Sequence, residues 1–373
     1  MGALATATAA ELEQRTLLLV LCAVLVLAMA MGAWLFYSRG RLGSRRAFVT
    51  AVTVVIVWAI CGYGLVFGAP LIPGLLGDPF ALDLADGGAV AQTFTAAAFH
   101  GSLAVLTLTI VACAVGDKVA LWPWLVFVAL WTLLAYVPVA YAEFNMTDGW
   151  LFTGLQINDQ AGGALIHVTA GAAALALLVV LRPSVVPAAR GTAGMLGGTV
   201  LIWGGAFGLV VGSEGRVDAL FSVLVTNTLI APALAAVAWI VVQFLMTGRP
   251  TVRGATSGVV SGVVAVTPAC NILTPAWAAL LGLLAGATCA AIVTLGRRSR
   301  FGDRLDITGI HLVGGAVGLT YVGLLGNGIG WKDSGQPDGI ADQAGAAIGV
   351  AAWSFLVACI LAWLLRRVLS PRR

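Results

Sequence analysis

The stretch that decides the fold is "DQAGGALIHVTAG", residues 159–171. It opens on a carboxylate and carries the imidazole of His167, yet it lies inside a long apolar region. The whole chain has 3 histidines, so one in such a setting asks for a physical reason. Working outward, apolar residues run on to position 181. That is enough for a helix that crosses a bilayer, which takes roughly 20 residues.

The rest of the chain has the same character. Of 373 residues, 60% are hydrophobic and 10% are charged. A soluble domain carries about 25% charged residues, so this chain has too few to cover its surface in water. It reads as an all-α polytopic membrane protein. Apolar runs predict eleven spans, at 16–37, 47–68, 93–114, 121–142, 159–181, 193–213, 218–246, 255–274, 276–296, 307–326 and 342–366. They form a single membrane domain over 1–373, with no soluble module and no low-complexity segment. Gly254, Gly258 and Gly262, and likewise Gly282 and Gly286, recur every four residues and predict smooth grooves for a neighbouring helix.

Orientation follows from lysine and arginine. Alternate connections and the tail hold Arg39, Arg41, Arg45, Arg46, Lys118, Arg182, Arg190, Arg249, Arg253, Arg297, Arg298, Arg300, Arg304, Arg366, Arg367, Arg372 and Arg373. The other side holds only Arg15, Arg216 and Lys332, with most of the carboxylates: Asp78, Asp83, Asp86, Glu143, Asp148, Glu214, Asp333 and Asp338. The N-terminus is therefore expected outside and the C-terminus in the cytoplasm. The net charge of +4 is this topology signal, and no nucleic-acid partner is implied. The opening "MGALATATAAELEQR" has no early basic cluster and makes a poor signal peptide. The six cysteines have no metal-like spacing and read as small apolar residues.

A second element, "DITGIH" at 306–311, echoes the first. Both open on an aspartate and reach a histidine on an apolar helix. They stand five spans apart, so the halves 16–181 and 193–326 would have opposite orientation, with span 342–366 as an extra helix. That is the inverted-repeat plan of many transporters, whose site lies near the midplane. Ionisable residues at membrane depth are rare and mostly functional. Asp159 and Asp306 each precede a predicted helix and read as N-caps, with cation binding as the alternative. Either histidine alone reads as an ordinary hydrogen-bonded residue. As a pair, His167 and His311 suit a small polar guest in a dry pore, because each neutral ring has one donor and one acceptor nitrogen. His167 lies about 12 Å past Asp159 and His311 about 7.5 Å past Asp306 along a helix. In a core about 30 Å thick, they meet only if these helices start below the membrane surface.

Several longer motifs accompany these two. They are "FYSRGR" (36–41), "AFHGS" (98–102), "YVPVAY" (136–141), "FSVLVTNTLIAPALAA" (221–236), "GRPTVRGATSGVVSGVVAVTPAC" (248–270) and "DITGIHLVGGAVG" (306–318). With them the chain resembles the ammonium transporter, methylammonium permease and Rhesus protein family over nearly its whole length. The resemblance implies an eleven-span homotrimer in the plasma membrane with a pore through each subunit. It implies that His167 and His311 are the twin pore histidines and that Asp159 is the buried structural aspartate.

The outer mouth departs from the family pattern. Where two stacked phenylalanines usually form a gate, the aligned residues are Leu103 and Leu209. In the recruitment site, Ser213 fits the usual serine, and the tryptophan position falls at Phe144. Cation–π attraction weakens from Trp to Phe and vanishes with Leu, so the cation trap is weakened. Glu143 and Glu214 supply charge nearby, or are simply solvated loop carboxylates. His100 stands where glutamine is common. It shares a helix face with Leu103 and reads either as a proton-binding group at the pore mouth or as a packing residue. The tail ends "RRVLSPRR", so the P-II-type regulator of some relatives is expected to be absent or to dock differently.

The resulting expectation is a conductor, passive or proton-coupled, of ammonium/ammonia or methylamine. A cation loses a proton near Ser213, the neutral base passes the histidines, and ammonium re-forms inside. Two rivals remain: a receptor that binds ammonium without transporting it, and a pore with a larger amine or a neutral gas as guest. No nucleophile–base pair, metal spacing or cofactor motif points to an enzyme.

Overall fold

The computed structural model describes residues 9–38, 45–81, 90–115, 119–182, 191–297 and 305–369. Arg39, Arg41, Lys118, Arg190, Arg298, Arg300, Arg304, Arg372 and Arg373, with Asp83 and Asp86, lie outside the described residues. The helices in chain order are α1 (Ala9–Tyr37), α2 (Arg45–Phe67), α3 (Val90–Val115), α4 (Leu121–Phe144) and α5 (Gly163–Leu181). Then come α6 (Thr192–Glu214), α7 (Ala219–Thr247), α8 (Val252–Val266), α9 (Pro275–Gly296), α10 (305–325) and α11 (Asp338–Leu369). Ten are long and apolar enough to cross a membrane, and α8 is a shorter apolar helix. The only strands among the described residues are β1 (Pro70–Ile72) and β2 (Leu76–Gly77), a small antiparallel ribbon after α2.

Exposure runs opposite to that of a soluble protein. Phe48, Leu245 and Ile348 each show 70% or more of their surface, while His167 shows 0% and Asp306 3%. With hydrocarbon as solvent, apolar residues face outward and ionisable groups turn inward.

Two helices fall several residues short of their predicted spans, and the two differences are linked. α5 starts at Gly163 rather than at 159, because Gly162 takes the left-handed conformation at φ +79°, which glycine adopts without a Cβ clash. α8 stops at Val266 instead of running to 274. Residues 267–272 turn instead, and Pro268 has no N–H to continue a helix. Buried non-helical backbone must find partners. Asn227 Nδ2 donates to the carbonyls of Cys270 and Leu273 at 2.9 and 2.7 Å. Asn158 Nδ2 donates to Pro268 O at 2.6 Å, and Ala161 N donates to Thr267 O at 3.1 Å. The late start of α5 is thus laced to the early end of α8.

Close packing positions the rest. Gly258 and Gly262 of α8 press on Ala235, Ala236 and Pro232, and a Cβ at Gly282 or Gly286 of α9 would overlap the carbonyls of Ala231 and Ala235. Both glycine rows therefore grip α7 from two sides, which is how small residues let helices approach in lipid. α5 and α10 also cross closely. A Cβ on Gly171 would lie 2.7 Å from Leu312 Cβ, and one on Gly315 would lie 3.0 Å from Gly163 O and 3.5 Å from His167 Cβ. Each of these glycines follows a histidine by four residues. The last helix, α11, braces α5 through Ser354 Oγ, which donates to Thr169 O at 2.7 Å.

Candidate functional site

At the α5–α10 crossing the two histidines meet. His167 Nδ1 and His311 Nδ1 are 3.1 Å apart, with ring centroids 5.1 Å apart. Each histidine lies in a π-helical turn, at Gly163–Val168 and Thr308–Leu312. Such turns recur at functional sites, where the wider turn re-aims side chains. Tyr37, at the end of α1, extends the line: its hydroxyl lies 2.8 Å from His311 Nε2. At the other end, His167 Nε2 is buried with no hydrogen-bond partner.

The protons on this line are constrained. An Nδ1–Nδ1 bond needs one proton between two lone pairs, so two neutral rings take opposite tautomers. When Tyr37 donates to His311 Nε2, His311 donates to His167, and His167 carries its own proton on Nε2. When every bond is reversed, His167 Nε2 presents a lone pair. The free end can thus act as donor or acceptor toward a guest.

Asp159 anchors the start of α5. One carboxylate oxygen accepts from Gly163 N and the other from Ala164 N at 2.7 Å. Both N–H groups belong to the first turn, which has no intrahelical partner for them. Glu143, read above as a loop carboxylate, lies in α4 at 6% exposure and sits against the Asp159 carboxylate. Glu214 is paired rather than free. It accepts from Gln160 Nε2 at 3.0 Å and from Arg216 Nε at 2.8 Å. The charge of Glu214, then the hydrogen bond and charge of Asp218, push the Arg216 guanidinium above its ordinary value.

Asp306 carries ion pairs as well. It lies inside the first turn of α10, and its carboxylate takes hydrogen bonds from Arg253 and, at 3.5 Å, from Arg297. It therefore ties α8, α9 and α10 together by charge.

Leu103 and Leu209, expected at the mouth, are each 0% exposed. One turn away from Leu209 on α6, Ser213 Oγ is enclosed without a partner. One turn away from Leu103 on α3, His100 meets the rings of Phe67, Phe99 and Phe144. Asp148 holds the nearby loop, accepting from Tyr141 OH at 2.9 Å and from Gly74 N beside the β-ribbon. Tyr37, Phe67, Phe99 and the Asp306 partners were not singled out from sequence. For Tyr37 the available signal was a phenol among apolar residues at the end of the first span.

Removing Asp159 tests its anchoring role. Asp159→Ala leaves two buried N–H groups unpaired, at about 1–3 kcal/mol each, partly offset by relief of the contact with Glu143. Asp159→Asn keeps one acceptor oxygen. Thermal unfolding in detergent is expected to rank wild type, Asn and Ala in that order. Equal midpoints for wild type and Ala would refute the role.

A polytopic helical bundle with a buried, hydrogen-bonded histidine pair has the architecture of a membrane transport protein. Residues 17–372 match the Ammonium Transporter Family, and the chain belongs to that family. It is 31% identical to the ammonium transporter of Mycobacterium tuberculosis (strain ATCC 25618 / H37Rv), over 92% of this chain and 83% of the relative. It is 34% identical to the ammonium transporter of Bacillus subtilis (strain 168), over 79% of this chain and 76% of the relative. The fold superposes on the crystal structure of Candida albicans Mep2 with a TM-score of 0.83 and 25% identity, covering 96% of this chain and 86% of that one. A solved structure described as a sensor Amt protein gives a TM-score of 0.84 at 21% identity, covering 98% of this chain and 96% of that one, and shares the fold.

Proposed function

We propose that this chain carries ammonium nitrogen across the plasma membrane as ammonia, through a pore whose narrow part is the His167–His311 pair. The observation that carries this reading is the enclosed, unpartnered Nε2 of His167 at the end of the Tyr37–His311–His167 line. Taking a bare cation past apolar walls is very costly, whereas a neutral base needs only hydrogen bonds. The cation gives up its proton near Ser213, the base passes His167 and His311, and ammonium re-forms beyond Tyr37. The halves 16–181 and 193–326 act as an inverted repeat. The chain works as a homotrimer with its acidic loops outside.

The test is uptake into proteoliposomes with current recorded at the same time. Charge moved with each nitrogen marks proton-coupled transport, and silent uptake marks passive conduction. Ammonium binding without any flux would sink the reading and leave a receptor.

A second reading, a pore for a larger amine or a neutral gas, is favoured by the two buried leucines at the gate. Restoring rings with Leu103→Phe and Leu209→Phe adds about 0.5–2 kcal/mol of cation–π attraction per contact. At tenfold per 1.4 kcal/mol, each contact is expected to tighten half-saturation by ammonium between about twofold and thirtyfold, and methylamine is expected to slow. An unchanged half-saturation and methylamine-to-ammonium ratio would show that the leucines are neutral replacements.

A further inference from the structure

The expected mouth has leucines, Leu103 and Leu209, in place of the two stacked gate rings, yet it holds a histidine enclosed by three phenylalanines. The ring centroids of Phe67, Phe99 and Phe144 lie 4.6, 5.4 and 5.7 Å from that of His100. The interplanar angles are 60°, 79° and 66°.

The hydrogen bonding of His100 settles what it offers. Its Nδ1 lies 2.9 Å from the carbonyl oxygen of Ala96, one turn back on α3. A carbonyl can only accept, so Nδ1 carries a proton. The neutral ring then has its lone pair on Nε2. Among the described residues Nε2 has no partner, and His100 is only half-buried. Phe99 packs directly on Gly212 of α6, and the next residue is Ser213, whose hydroxyl is also unpartnered. One turn inward on both helices come Leu103 and Leu209, an apolar level closed to a charged guest.

We propose that His100 is the ammonium-recognising group of this mouth: Nε2 accepts an N–H of the incoming cation while Phe67, Phe99 and Phe144 wall it in. This deepens the ammonium reading and rests on it. The site selects by hydrogen bonding. Ammonium and methylammonium have N–H groups to donate, whereas potassium has none, so potassium should compete poorly. The neighbouring ring faces add attraction for any cation, and the lone pair adds direction.

The experiment compares wild type, His100→Phe and His100→Gln in proteoliposomes, with half-saturation read for ammonium and inhibition read for potassium. Hydrogen bonds to charged groups are strong enough that losing the acceptor should raise half-saturation by ammonium about tenfold or more. His100→Phe is expected to do this and to let potassium inhibit better. His100→Gln keeps an acceptor and is expected to stay within about threefold. In parallel, ¹⁵N-histidine NMR of the wild-type protein should show an Nδ1-protonated ring, assigned by its absence in His100→Gln, whose Nε2 signal moves on adding ammonium chloride. If His100→Phe does not assemble, the wild-type NMR decides. If wild type neither binds nor transports ammonium, the ammonium reading itself fails. If wild type transports while half-saturation in His100→Phe is unchanged, or the Nε2 signal stays still, the role of His100 is overturned.

Discussion

Replacing either His167 or His311 by Ala is expected to cut ammonium flux at least about thirtyfold while the protein still assembles. The reason is the dryness of the site. His167 is 0% exposed and His311 3%, so a guest there meets few polar groups beyond the two rings. Stripping a polar molecule of hydrogen bonds in apolar surroundings costs about 2–7 kcal/mol, and each 1.4 kcal/mol is tenfold. The two variants fail differently. Without His167, His311 Nδ1 loses its partner, but Tyr37 still holds the other nitrogen. Without His311, both His167 and Tyr37 are left unpartnered. Assembly should persist in both, because the glycine contacts between α5 and α10 do not involve the imidazoles. Flux and size-exclusion profiles of both variants provide the check. Wild-type flux in both would remove the pair from the mechanism.

Gly171→Ala is expected to destabilise the protein by about 1–3 kcal/mol, the usual cost of overpacking. The added methyl would overlap the backbone of Leu312, which cannot swing aside as a side-chain tip can. Elsewhere in a helix the same change is favourable, since alanine exceeds glycine by about 1 kcal/mol in propensity. Gly204 supplies the control: it is exposed, and nothing lies within 4 Å of its added Cβ. Thermal unfolding should therefore move down for Gly171→Ala and stay level or rise for Gly204→Ala. The same midpoint shift in both would mean that the α5–α10 crossing has slack.

Much of this architecture was legible in the chain itself. Eleven apolar runs gave the order of the helices, since hydrocarbon tolerates little else. Two histidines after paired aspartates pointed to one centre, because ionisable groups at that depth need a purpose. What escaped the sequence depended on contacts distant along the chain. Asp306 resembles Asp159 locally, but Arg253, 53 positions away, makes it an ion-pair hub. The end of α8 was read as helical because residues 267–274 are largely apolar. Pro268 was the warning, and Asn227 and Asn158 are what make the break tolerable. Tyr37 lay inside a quoted motif but its role was not legible, since only the folded bundle brings the end of α1 against α10.

The reciprocal fit of Gly171 and Gly315 has a mechanical consequence. A machine that rocks one half against the other needs clearance at its hinge line. Here each helix seats a bare backbone against the histidine-bearing turn of its neighbour, and a hydrogen-bonded line from α1 is threaded through the same point. Any swing large enough to expose the centre alternately to the two sides would tear both. If the chain conducts as proposed, it is expected to do so as a fixed aperture, with protons and guest as its moving parts.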